Sequence, residues 1–196
     1  MPAAGVDAGA GDGRRVRGAR RRAALVDAAA DLLRSGGPAA VSHRAVAERA
    51  GASLSSTTYY FSGLDDLLAA AGERAARHWA EHASSVVRDG LGLGREGTRT
   101  LADAVLPTGD DEAIRAHYEH LASAGRLPVL AAAYARERTL LDDEVARLGL
   151  PVAPTVAVAL VDGGALSALS EGRPVREHVA ALLDAALPGT TSGSRP

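Results

Sequence analysis

From residue 20 to residue 187 the apolar residues Ala, Leu and Val return every three or four positions, and no Val/Ile/Tyr run alternates with polar residues as a half-buried strand would. The interruptions are short Gly/Pro clusters. A chain patterned this way buries its apolar stripes by packing helix on helix, so the expected fold class is all-α. Helices are expected over residues 20–34, 43–50, 54–60, 64–87, 98–106, 110–124, 128–148, 154–170 and 174–187. Several open with acids or Pro in the first turn, as the helix dipole and its free N–H groups favour. At 196 residues with 3% aromatics, the chain can bury one good core or two small ones, and their layers are aliphatic. Residues 1–13 and 190–196 carry no periodic pattern and are expected to be disordered.

Charge is distributed unevenly. The formal net charge of −2 excludes a protein that coats nucleic acid indiscriminately. Yet Arg14, Arg15, Arg17, Arg20, Arg21, Arg22, Arg34, Arg44 and Arg49 face only Asp27, Asp31 and Glu48 before Ser62, and the acidic excess follows. One end is built to meet an anion. Every basic residue other than His is Arg, the bidentate partner of phosphate and guanine. With no Cys, disulfides and thiolate metal sites are excluded. The N-terminus lacks an apolar signal core, and the most apolar later run, residues 152–169, is broken by Pro154, Asp162, Gly163 and Gly164. A soluble cytoplasmic protein is expected.

Residues 42–53 read as a short helix, a Gly turn, and a Ser able to cap the next helix. Gly51 supplies the positive φ of a tight turn, and the small Ala47 and Ala50 let two helices cross closely. Ser42 and Ser53 are the expected N-caps, each satisfying free N–H groups of the helix it precedes. This is the grammar of a helix-turn-helix, which presents its second helix to the major groove.

Around this unit, Ala29-Ala30-x-Leu32-Leu33 followed by Gly37, then Val46-Ala47-x-x-Ala50-Gly51-Ala52-Ser53, Tyr59-Tyr60-Phe61 and Leu67-Leu68 resemble, in order and spacing, the DNA-binding domain of the TetR family of transcriptional regulators. The resemblance covers residues 22–71. It implies three helices for DNA binding, a fourth linking to an effector domain, and dimerisation through the last two helices. Carried over by position, Ser42, His43 and Arg44 start the helix that crosses the DNA backbone. Leu54–Tyr60 is then the recognition helix, and Tyr59 and Tyr60 stand where the family places phosphate contacts. Leu54, Thr58 and Leu64 depart from the family's usual Lys, Tyr and Lys, so DNA affinity leans on Arg44, Ser53, Ser55, Ser56, Thr57, Tyr59, Tyr60 and the Arg-rich stretch at 14–22. That stretch is either an arm entering the minor groove or a solvated basic tail.

The expected organisation is therefore a flexible N-terminal arm (1–17), a helix-turn-helix DNA-binding domain (18–63), a helical effector-binding and dimerisation domain (64–188), and a disordered tail (189–196). An aliphatic helical domain offers a natural site between helices for an apolar or amphipathic small molecule. Trp79, His82, His117, Tyr118, Leu121 and Tyr134 are its candidate lining, with ordinary core packing as the alternative for each. Small residues Ala157, Ala159, Gly163, Gly164, Ala165 and Ala168 in helix 154–170, and Val179, Leu182, Leu183 and Ala186 in the last helix, are more than a lone subunit should expose, and point to a homodimer that spaces two reading heads over a palindromic operator. Double-stranded operator DNA, a small effector and a second copy of the chain are the expected partners, with no membrane and no cofactor.

Other signals carry less. Gly92-x-Gly94-x-x-Gly97 has dinucleotide-motif spacing but follows a helix rather than a strand. His78/His82 and His117/His120 have spacings suited to a metal, but no third ligand accompanies either pair. A small helical enzyme would need an activated nucleophile or a metal triad, so no enzymatic activity is expected. A purely structural helical bundle leaves unexplained why the Arg excess and the Gly turn share one segment. The expectation is a DNA-binding regulator, a repressor released from its operator by a small ligand.

Overall fold

The computed structural model describes residues 8–92 and 97–187. Among these it is helical throughout: α1 Ala8–Gly36, α2 His43–Arg49, α3 Leu54–Tyr60, α4 Leu64–Gly92, α5 Gly97–Val105, α6 Asp111–Ala124, α7 Pro128–Ala146, α8 Pro154–Glu171 and α9 Val175–Ala186, with a 3-10 turn at Pro38–Ala40. The turn between α1 and α2 has no counterpart in the sequence expectation. The Gly-x-Gly-x-x-Gly stretch falls between α4 and α5, with residues 93–96 outside the described residues. No described helix is long and apolar enough to cross a membrane.

The largest departure from expectation is α1. It starts at Ala8 rather than near residue 20, so the stretch expected as a flexible arm is helical from Ala8 onward. Ala and Arg are among the strongest helix formers, and no Pro stands between Ala8 and Gly36.

The helices pack around two apolar clusters. The first joins Leu25, Ala29 and Leu33 of α1 to Val46 of α2, Phe61, and Leu67, Leu68 and Ala71 of α4, and is closed by Ala124 and Leu130 from α6 and α7. The second draws Ala83 and Val87 of α4 together with Leu101 and Val105 of α5, Ile114 and Tyr118 of α6, Val158 and Val161 of α8, and Val179 and Leu183 of α9. The expected division at residue 63 is thus not where the cores part, because the first half of α4 belongs to the N-terminal core. Gly72 permits that arrangement: a Cβ there would stand 2.9 Å from Leu130 Cδ2 and 3.1 Å from Ala133 Cβ, so side chains of α7 press directly on the α4 backbone. Ion pairs reinforce both junctions. Arg74 of α4 binds Asp27 of α1 at 2.7 Å, and Arg136 of α7 binds Glu73 of α4 at 2.6 Å.

Candidate functional site

Two regions carry functional side chains, the helix-turn-helix and a cavity against α4. In the first, Ser42 caps α2, its Oγ accepting the Ala45 N–H at 3.1 Å. Gly51 turns the chain at φ +60, and Ala52 N–H returns to Ala47 O at 2.9 Å, capping the C-terminal end of α2. Val46 and Ala47 are buried in the crossing, as is Thr57 from α3. Asp31 of α1 accepts from both Arg34 and Arg49, tying α1 to α2. Burial would raise this carboxyl's pKa, but the two guanidiniums outweigh it and hold it below the usual carboxylate range. The start of α4 is fixed by Asp66, which accepts the Ser62 N–H at 3.0 Å.

The expected DNA-facing residues divide into three groups. Ser42, Arg44, Ser53, Leu54, Ser55 and Tyr59 are exposed, and Tyr59 is 81% exposed. His43, Ser56 and Tyr60 are half-buried. Tyr60 closes a concave surface formed with Arg14, Arg17, Gly18, Arg20 and Arg21 of α1. Two assignments need correction. Thr57 is fully buried, its hydroxyl donating to Leu54 O at 2.8 Å, because it lies on the face of α3 that packs into the core. Ser53 sits at the N-cap of α3 but makes no side-chain bond to the backbone; its Oγ lies 2.9 Å from the hydroxyls of Ser55 and Ser56 instead. The basic stretch, open from sequence alone to both a minor-groove arm and a solvated tail, is part of α1, and a helix 10–12 Å across is wider than a minor groove of about 6 Å. Arg14, Arg17, Arg20 and Arg21 are displayed on the helix surface beside α3.

The second region is a cavity of about 350 Å³ between α4 and α6, reached also by α7 and by the loop before α6. It brings together Trp79, His82, His117, Leu121 and Tyr134 of the expected lining. Tyr118 is not among them. The residue next to His117 points about 100° away around the helix, and its hydroxyl donates to Asp162 of α8 at 2.9 Å. Burial raises the pKa of both the Tyr118 hydroxyl and the Asp162 carboxyl.

Several lining residues lie outside the sequence expectation: Ala75, Ala76, Ala113, Ala116, His120, Pro107, Thr108, and Arg34 and Ser35 from the end of α1. Ala75, Ala76, Ala113 and His120 lie three or four positions from Trp79 or His117, a spacing from which they were legible, and Ala116 lies four from His120. Arg34, Ser35, Pro107 and Thr108 arrive by tertiary packing and leave no local signal. Trp79 is held by its indole N–H, which donates to Val105 O at 2.9 Å, and it meets the His117 ring edge-on at 4.8 Å. His120 Nε2 lies 2.6 Å from the Tyr134 hydroxyl, and His82 Nε2 3.0 Å from Asp103 O. Burial depresses His117 to a pKa of about 4 with help from His120, and His120 to about 4 with help from Arg34. Both are neutral imidazoles at neutral pH. Among the described residues no three His, Asp or Glu side chains converge as a metal site would require.

A third feature lies on α8. Its inner face, Ala157, Val158, Val161, Gly164, Ala165 and Ala168, is buried, yet Val156, Ala159, Gly163 and Leu166 form an exposed apolar stripe at helical spacing on the other side. Val156 and Leu166 are 48% and 53% exposed. A helix apolar on both faces calls for cover on both.

Comparison with known proteins agrees with this geometry. A family model, bacterial regulatory proteins of the tetR family, matches residues 25–71, which span the helix-turn-helix and the start of α4. No curated protein matches the sequence. Among solved structures, the multidrug binding protein EbrR complexed with imidazole is 30% identical with TM-score 0.60, over 90% of this chain and 98% of that one. EbrR complexed with proflavin is 31% identical with TM-score 0.60, over 85% and 99%. A member of the TetR family from Streptomyces coelicolor, SCO1917, is 32% identical with TM-score 0.57, over 86% and 98%. With a helix-turn-helix at one end, a helical domain behind it and these relatives matched along nearly their whole length, this chain belongs to the TetR family and is a DNA-binding transcriptional regulator.

Proposed function

We propose that the protein is a repressor that binds a palindromic operator as a homodimer and leaves it when a small apolar or amphipathic molecule enters the α4–α6 cavity. The observation that carries this reading is the composition of the cavity wall. Arg34 and Ser35, the last turn of a DNA-binding helix, share the cavity with Trp79, His117 and Leu121 of the helical domain. A ligand there touches both parts at once. Any preference it has for one relative placement of α1, α4 and α6 is then a preference for one placement of α3.

DNA contact in this reading runs through Arg44, Ser55 and Tyr59 on α2 and α3, with the arginines of α1 against the flanking phosphates. The dimer forms through α8 and α9, with Val156, Ala159, Gly163 and Leu166 at its centre. EbrR, a relative, was solved with proflavin and with ethidium, planar aromatic cations whose flat rings are the part an apolar wall accepts. Operator binding is tested by gel shift with the DNA upstream of the protein's own coding region. A specific shift, reversed by a compound that raises the melting temperature, is expected. A compound that stabilises the protein and leaves operator affinity unchanged contradicts the release mechanism. Replacing Arg14, Arg15 and Arg17 by Gln should weaken binding and reduce the slope of log affinity against log salt by about one for each phosphate left unneutralised. An unchanged slope rejects the role given to these arginines.

A further inference from the structure

The α4–α6 cavity has a charge bias that membership of the family does not supply. Its lining contains no carboxylate; the side chains are apolar, aromatic, hydroxylic, imidazole, or the guanidinium of Arg34. Two of the imidazoles present unused nitrogens: His117 Nε2 and His120 Nδ1 are buried without a hydrogen-bond partner. Buried polar atoms are ordinarily paired, so two left without partners on rings that line a cavity are the groups a ligand's polar atoms would satisfy once those rings turn toward it. In the tautomer taken here, in which the Tyr134 hydroxyl donates to His120 Nε2, the ring proton stands on Nδ1, which is then a donor to an incoming oxygen.

The acids that touch lining residues are already engaged: Asp31 with Arg34 and Arg49, and Glu81, 3.8 Å from His78, with Arg74. An adjoining hollow shares Trp79, Leu121 and Tyr134 and holds Asp162 and Glu137. Asp162 accepts the Tyr118 hydroxyl, and Glu137 is paired with Arg77 at 3.2 Å. A cation in the main cavity would meet Arg34 and no free counter-charge. Arg34 itself is held only by a half-exposed pair with Asp31, an interaction weak enough to exchange for a ligand oxygen.

We propose, building on the ligand-responsive reading above, that the effector is a planar aromatic acid, its ring against Trp79 and Tyr134 and its carboxylate or phenolate oxygens on Arg34 and the open nitrogens of His117 and His120. The aromatic wall supplies apolar contact and edge-on ring geometry. The guanidinium and the imidazole N–H supply charge-assisted hydrogen bonds, and these distinguish an acid from its amide or amine.

The test uses the full chain and three probes of one shape and different charge: naphthoate, naphthamide and naphthylmethylammonium, titrated by isothermal calorimetry. Naphthoate is expected to bind about tenfold or more tighter than the ammonium compound, the range a hydrogen bond to a charged group supplies. Arg34→Gln should collapse the naphthoate-over-naphthamide ratio. Naphthamide binding by the variant shows that it is folded and its cavity formed. Tighter binding of the ammonium compound, or a ratio that Arg34→Gln does not move, overturns the assignment of an acid and leaves the ligand-responsive reading standing. Binding of none of the three probes overturns it too. Naphthoate binding that leaves operator affinity intact supports the acid site and sinks the release mechanism, so the two failures are told apart.

Discussion

His117 and His120 give the molecule a pH-dependent weak point. Their folded-state pKa of about 4 lies below the ordinary value of 6.5, so between those values the unfolded chain binds protons that the folded chain refuses. Stability is therefore full above pH 6.5 and is lost as pH falls toward 4, by at most about 3 kcal/mol for each imidazole. The melting temperature is expected to drop steadily from pH 7 to 4.5, and His120→Gln should flatten that slope; an equal slope in the variant removes His120 as its source. Thr57 and Tyr59 make a contrasting pair on α3. Thr57→Val strands no partner but removes the bond to Leu54 O, and should cost about 1 kcal/mol in chemical denaturation. Tyr59→Ala removes an exposed ring, so stability should stay within about 0.5 kcal/mol while operator affinity falls. Sequence spacing placed both on the recognition helix, but which face each occupies depends on where that helix docks.

At the scale of the element, the helix-turn-helix was legible because its signals are local. A capping Ser, a turn Gly with positive φ and small residues at the crossing act within a dozen positions, and α2 and α3 fall where these signals put them. The two Ser caps show the limit of that reading. Ser42→Ala should destabilise by about 1 kcal/mol because it removes a real bond to the Ala45 N–H. Ser53→Ala should cost well under half as much, since Ser53 bonds only to neighbouring hydroxyls; equal costs in urea melts would show that Ser53 caps α3 after all. The start of α1 was not legible because a Gly-bearing, Arg-rich segment resembles a tail in composition, whereas its Ala and Arg favour the helix once its C-terminal half is anchored by Leu25, Ala29 and Leu33.

For the whole molecule, the close approach of α4 to α7 and the apolar outer face of α8 are the features on which regulation would depend. Gly72→Ala has no flexible neighbour to displace at Ala133, and overpacking there should cost about 1–3 kcal/mol, read as a lower denaturation midpoint. Val156→Glu with Leu166→Glu places charge on the exposed stripe of α8. If that stripe is the dimer seam, the variant should sediment as a monomer, keep its helical circular dichroism and lose operator affinity. A dimer surviving both substitutions moves the interface elsewhere.

Periodicity, caps and turn glycines determined from sequence alone that this chain is helical, where most helices lie, and that residues 42–60 form a helix-turn-helix, because each of those signals acts between residues a few positions apart. Which side chains share a cavity was decided by packing. Arg34, Thr108, His117 and Tyr134 meet only because α1, α4, α6 and α7 converge, and contacts across so many residues of chain arise from the collapse of apolar faces, which fixes that two helices meet but leaves no mark beside any one residue of what it will touch.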